Sequence, residues 1–147
     1  MDQTTTSNTD KQLFVNSDTA KLFVWNNRFD TAEYTNGTGS EVTLAAGTVL
    51  GRISASGKVT PFQSDASDGS QTPIAVLASD YTVANGATVD VTFCKAGDVA
   101  EGQLVFTKSG DDLDTAISGK IVRDLIQASS VGINLVSTTE MTEHDNS

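Results

Sequence analysis

The sequence predicts an α+β domain that is predominantly β, with one late helix and an extended N-terminal arm. Three observations carry that expectation. Short runs of β-branched and aromatic residues recur between turn-forming Gly, Asn and Ser residues along most of the chain. Only one segment, after Gly110, places apolar residues at helical spacing. A glycine-rich stretch, TNGTGS at 35–40, sets the first strand-like runs apart from the rest. The expected parts are therefore an arm over residues 1–40, a domain over 41–137 and a polar tail over 138–147.

Met1 to Asp10 are polar and without periodicity, as in a disordered tip. Leu13-Phe14-Val15 and Leu22-Phe23-Val24-Trp25 read as strands joined by a polar link. Thr48–Ile53 and Lys58–Phe62 flank a loop of small residues, SASG, and predict a hairpin whose second strand, carrying Pro61, lies at an edge. Ile74–Ala78 is a short buried-type run. Thr88–Phe93 alternates, with Val89, Val91 and Phe93 on one face after a turn at Asn85-Gly86. A turn over Gly97–Gly102 and a strand over Gln103–Thr107 follow. Leu113, Ile117, Ile121 and Leu125, with Val122 and Ile126 beside them, predict the helix; Asp111, Asp112 and Asp114 stand at its start, where the dipole favours negative charge. Gly132 reads as its stop and Ile133–Val136 as a last strand.

Composition narrows the function. Nine Lys and Arg against nineteen Asp and Glu give a net charge of −10, so a phosphate backbone or an anionic membrane would be repelled by most of this surface. No apolar run reaches the roughly 18 residues of a membrane span, and the N-terminus has neither the basic nor the apolar region of a secretion signal. The single cysteine, Cys94, cannot form an internal disulfide, which fits folding in a reducing compartment and a fold that stands on packing.

Candidate chemistry is sparse, and no cofactor or metal is expected. The one histidine, His144, lies in the polar tail, away from packed neighbours that could hold a catalytic base. Cys94 ends an alternating strand and reads as a small buried thiol. The segment from Gly51 to Lys58 has one residue too many between its glycines for a phosphate loop, and Val59 where Ser or Thr would bind magnesium. Asp111, Asp112 and Asp114 lack the later ligands and glycine of a calcium loop. Asp65 and Asp68 in SDASDG read as turn formers. Trp25 with Phe14, Phe23 and Phe29 is an aromatic stripe suited to packing or docking.

The ordered series Leu44-x-x-Gly47-Thr48-Val49-Leu50-Gly51-Arg52-Ile53, Gly57-Lys58, Pro61-Phe62, Ser67-Asp68-Gly69-Ser70-Gln71 and Ala75-Val76-Leu77 resembles the lambda-type head decoration proteins of tailed phages. The likeness continues through Val89-x-Val91, Gly97-x-Val99, Leu104 and Gly132-Ile133-x-Leu135-Val136. It implies a small β-tulip-like domain, three copies about a threefold axis, and an N-terminal arm reaching the capsid lattice. The implied protein is made in the host cytoplasm and ends on the outer surface of the virion. There it would bind the major capsid protein as a homotrimer and stabilise the head, with no catalysis, no nucleic acid and no membrane. On that reading Leu13, Phe14, Val15, Leu22, Phe23, Val24 and Trp25 are the candidate capsid-binding residues. The small residues of the 48–62 hairpin then serve close approach of surfaces. The alternative is a β-rich binding module of a phage fibre or surface protein that recognises glycans, with Trp25 and Tyr34 as its stacking platform.

Overall fold

The computed structural model describes residues 22–128 and 133–136. Five strands form one antiparallel sheet in the order β1-β7-β5-β3-β4, where β1 is Phe23–Thr35, β3 Val49–Arg52, β4 Val59–Pro61, β5 Pro73–Leu77 and β7 Thr88–Ala100. Between them, β2 (Val42–Leu44) and β6 (Tyr81–Val83) pair as a separate ribbon. After a single 3₁₀ turn at Glu101–Gln103 come a two-residue hairpin, β8 (Ala116–Ile117) and β9 (Lys120–Ile121), helix α1 (Val122–Gln127) and β10 (Ile133–Val136). The last strand joins the main sheet in parallel, beside the second half of β7.

The sheet curls until its edge strands approach each other, and the Lys58 Nζ of the β3–β4 loop donates to Thr35 Oγ1 of β1 at 2.9 Å across the seam. Period-two alternation then sends side chains to two cores. Inside the curl, all five strands contribute to one cluster: Tyr34, Leu50, Val59, Ala75, Leu77, Val91 and Phe93, closed by Leu44 and Val83 of the ribbon. On the other face the row Val49, Val76 and Cys94 meets Leu22, Phe62, Val99, Val122, Ile126 and Ile133. Leu104, Phe106, Leu113 and Ile117 pack over this second cluster, so the 104–126 excursion is its lid.

The hairpin of β3 and β4, the edge position of Pro61, the buried run of β5 and the alternation of β7 follow the sequence pattern. Three expectations are corrected. Gly97–Gly102 is no turn: β7 continues through Gly97 to Ala100, with Gly97 at φ +106 and paired to Ile133. Gln103–Thr107 is not a strand, although Val105 makes one parallel bridge to Thr48.

The helix expected from Asp111 onward begins only at Val122. Asp112 Oδ1 takes the backbone N–H of Asp114 at 2.8 Å, and Ser118 and Gly119, at φ +52 and +87, make the tip of the β8–β9 hairpin. Short carboxylates compete for backbone donors, and consecutive left-handed residues end a right-handed helix. The expected four-residue series holds only in part: Leu113 and Ile117 pack against the outer cluster, but beyond the hairpin it is Val122 and Ile126, not Ile121 and Leu125, that are buried in it. Gly132, Met1–Asp10, Leu13–Val15 and the tail lie outside the described residues.

Candidate functional site

The segments that resemble reactive motifs resolve into structure. Cys94 is fully buried; its thiol donates to the Ala96 carbonyl at 3.0 Å and takes Asn27 Nδ2 at 3.5 Å. The glycine pair around the β3–β4 loop closes a hairpin, where Arg52 Nη1 donates to the Gly57 carbonyl at 2.6 Å. Asp68 Oδ1 accepts from both the N–H and the hydroxyl of Ser70, an Asx turn that holds its carboxyl below the usual range. Asp111, expected at a helix start, instead binds Ser64. Among the described residues no three His, Cys, Asp or Glu side chains gather as a metal site. His144 lies outside them.

What the fold leaves on the surface is the start of β1. Its register against β7 shifts three times between Phe23 and Phe29. Such irregularities bend a strand and re-aim its side chains. Asn27 fills part of the broken ladder, Nδ2 donating to the Asp98 carbonyl at 2.9 Å. Phe23 and Phe29 meet edge to face, their ring centroids 5.2 Å apart. Phe23 leans on the core, whereas Phe29 is 46% exposed and Val24 37%; they are the exposed large hydrophobic residues among those described. Beyond them, Asp30 pairs with Lys95 at 3.2 Å. The Thr31 N–H and then Lys95 hold the Asp30 carboxyl below its ordinary value.

The expected site residues therefore divide. Leu22 is 2% exposed and belongs to the core, and Phe23 packs against it. Val24 faces solvent, and Trp25 occupies a β1 position paired with Asp98. Leu13, Phe14 and Val15 lie outside the described residues. Residues 23–35 of the expected arm run along β7 in the main sheet. Tyr34, expected in a sugar platform, is buried at 4% in the inner core and offers no ring face to a ligand. In the sequence Phe29 stands out only as one of an aromatic stripe. Its exposure depends on the bulges, which the polar neighbours in NNRFD hint at but do not specify.

No curated protein matches the chain. A family model described as Bacteriophage lambda head decoration protein D matches residues 14–119, well over half of it. That span takes in the whole of β1 with its exposed Val24 and Phe29, the hairpin that carries the small-residue series, and the whole inner core; the outer core's Val122, Ile126 and Ile133, on α1 and β10, follow it. A match over well over half of the chain, on a strand-rich domain, shows the family: the chain belongs to the lambda head decoration protein D family.

Proposed function

We propose that three copies of the chain associate and attach together to the outer surface of the major capsid lattice, cementing the head, with the N-terminal segment as the anchor. The family match supports the placement on a phage head. The observation that carries the anchor is the position of the two exposed hydrophobic residues. Val24 and Phe29 lie at the bulged beginning of an edge strand, directly after the segment that holds Leu13, Phe14 and Val15. An edge strand with unpaired backbone groups and apolar side chains suits β-augmentation by a partner. Leu22 and Phe23, packed in the core, tie the start of β1 to the domain. Each arm buries few side chains, so one contact is weak. Three arms on one trimer raise the avidity by about 10² to 10⁴ when the lattice offers three matching sites.

Two truncations test this. Removing residues 1–21 should preserve the circular dichroism and the trimeric mass but abolish co-sedimentation with purified shells. Removing residues 1–27 also takes Leu22 out of the core and should cost about 2 to 5 kcal/mol of stability. Full-occupancy decoration by the first truncation would show that the arm is not the anchor. A monomeric mass on decorated shells would refute the trimer.

A further inference from the structure

The chain holds two Asn-Gly dipeptides, Asn36-Gly37 and Asn85-Gly86. Glycine places no side chain over the adjacent carboxamide, so both are chemically open to the same cyclisation. The fold treats them oppositely. Asn36 is fully buried; its Nδ2 donates to the Ser40 carbonyl at 2.7 Å and the Val83 carbonyl at 2.9 Å. Its Oδ1 accepts from the Thr38 N–H at 3.0 Å and the Thr38 hydroxyl at 2.8 Å. Every polar atom of that side chain is held, and its Cγ cannot turn toward the Gly37 nitrogen without breaking buried bonds.

Asn85 is exposed, at the tip of the turn between β6 and β7. The Ala87 N–H closes that turn on the Ala84 carbonyl at 3.0 Å, and Gly86 at φ +80 takes the left-handed place of a type II turn. Asn85 Oδ1 accepts from the Gly39 N–H at 3.1 Å, and its Nδ2 has no hydrogen-bond partner among the described residues. The restraint on reaction is at the nucleophile, for the Gly86 N–H donates to the Asn36 carbonyl at 2.7 Å. That one bond sits at a loop tip, where local opening is inexpensive.

We infer that Asn85 is a site of spontaneous deamidation and isoaspartate formation, and that the fold protects Asn36. When the turn opens, the Gly86 nitrogen attacks Asn85 Cγ. The Cγ–Nδ2 bond breaks, and the Gly86 amide proton leaves with the departing amine as ammonia, giving a succinimide. Water then opens the ring. Cleavage at Cγ leaves an ordinary aspartate at this position; cleavage at the main-chain carbonyl leaves isoaspartate and lengthens the backbone by one methylene. Either product adds a negative charge beside the clamp that joins this turn to the β1–β2 loop. The isoaspartate also displaces the contacts to Gly39 and Asn36.

The full chain is incubated at mildly alkaline pH, folded and in urea, and mapped by peptide mass spectrometry, with isoaspartyl methyltransferase labelling to separate the two products. In the folded protein position 85 should convert at least about tenfold faster than position 36, the ratio that about 1.4 kcal/mol of extra local opening free energy produces. In urea the two should converge. Asn85→Gln, whose cyclisation needs a larger ring, should abolish the folded-state signal. Equal rates at both positions in the folded protein, or conversion confined to Asn36, would overturn the inference. So would an unchanged position 85 under conditions where the urea sample reacts.

Discussion

The carboxylate of Asp111 accepts both the backbone N–H of Ser64, at 2.9 Å, and its hydroxyl, at 2.6 Å. The pair stitches the loop after β4 to the excursion that lids the outer core. The Asp111 side chain is 2% exposed, and Lys108 Nζ stands 4.0 Å away.

Asp111→Ala would leave two Ser64 donors and part of the Lys108 charge without a partner. Losing hydrogen bonds to a buried charged group costs about 1.5 to 3 kcal/mol. The urea midpoint should fall by that amount at unchanged slope, and Asp111→Asn, which keeps one acceptor oxygen, should fall less. Equal midpoints for wild type and Asp111→Ala would remove this contact from the account of stability.

Two glycines of the β3–β4 hairpin should respond differently to alanine. A methyl on Gly51 would meet the Ser70 backbone, with its O at 2.5 Å and Cα at 2.6 Å, so strands or loop must separate. Overpacking of this kind costs about 1 to 3 kcal/mol or more. Gly57 has open space around its Cβ position, and only its φ of +76 opposes substitution. Its cost is the left-handed backbone penalty of about 1 to 2 kcal/mol. Thermal unfolding should place Gly51→Ala clearly below Gly57→Ala; the reverse order would contradict the close approach of Gly51 to Ser70.

Stability should decline at both ends of the pH scale, for different reasons. Asp30 and Asp68 have folded values depressed below 3.8, the first chiefly by the Thr31 N–H and then Lys95, the second by the Ser70 hydroxyl and N–H. A depressed carboxyl contributes stability that is present above its unfolded value and lost as pH falls through the folded one. Tyr34 has its value raised above 10.0 by burial, so its contribution is present below pH 10.0 and lost as pH rises through the folded value. Urea midpoints across pH should show the acid limb flattened in Asp30→Asn with Asp68→Asn, and the alkaline limb flattened in Tyr34→Phe. Unchanged limbs would assign the pH dependence to other groups.

What the chain's local chemistry determined by itself is its turns and faces. Asn85-Gly86 makes the turn from β6 to β7, the SASG loop makes the tip of the β3–β4 hairpin, and Asp68 makes its Asx turn. Val91 and Phe93 point to one core because alternation in a strand leaves them no other choice. The small-residue series from Gly47 to Gln71 pointed to the family that the match to residues 14–119 bears out. Tertiary structure decided the rest. Only the thirteen residues of β1 lying along β7 show that Leu22 and Tyr34 are core residues and that Phe29 is left outside at a bulge. Residues 111–121 carry a helical spacing of apolar side chains, yet the Asp112 turn and the Ser118-Gly119 tip, locked against Ser64 and the outer core, give loop and hairpin. The physical reason is distance along the chain. A turn is chosen by neighbours two or three residues away. Partners such as Ser64 and Asp111, 47 residues apart, meet only after the sheet has curled, and their contact overrides weak local propensity.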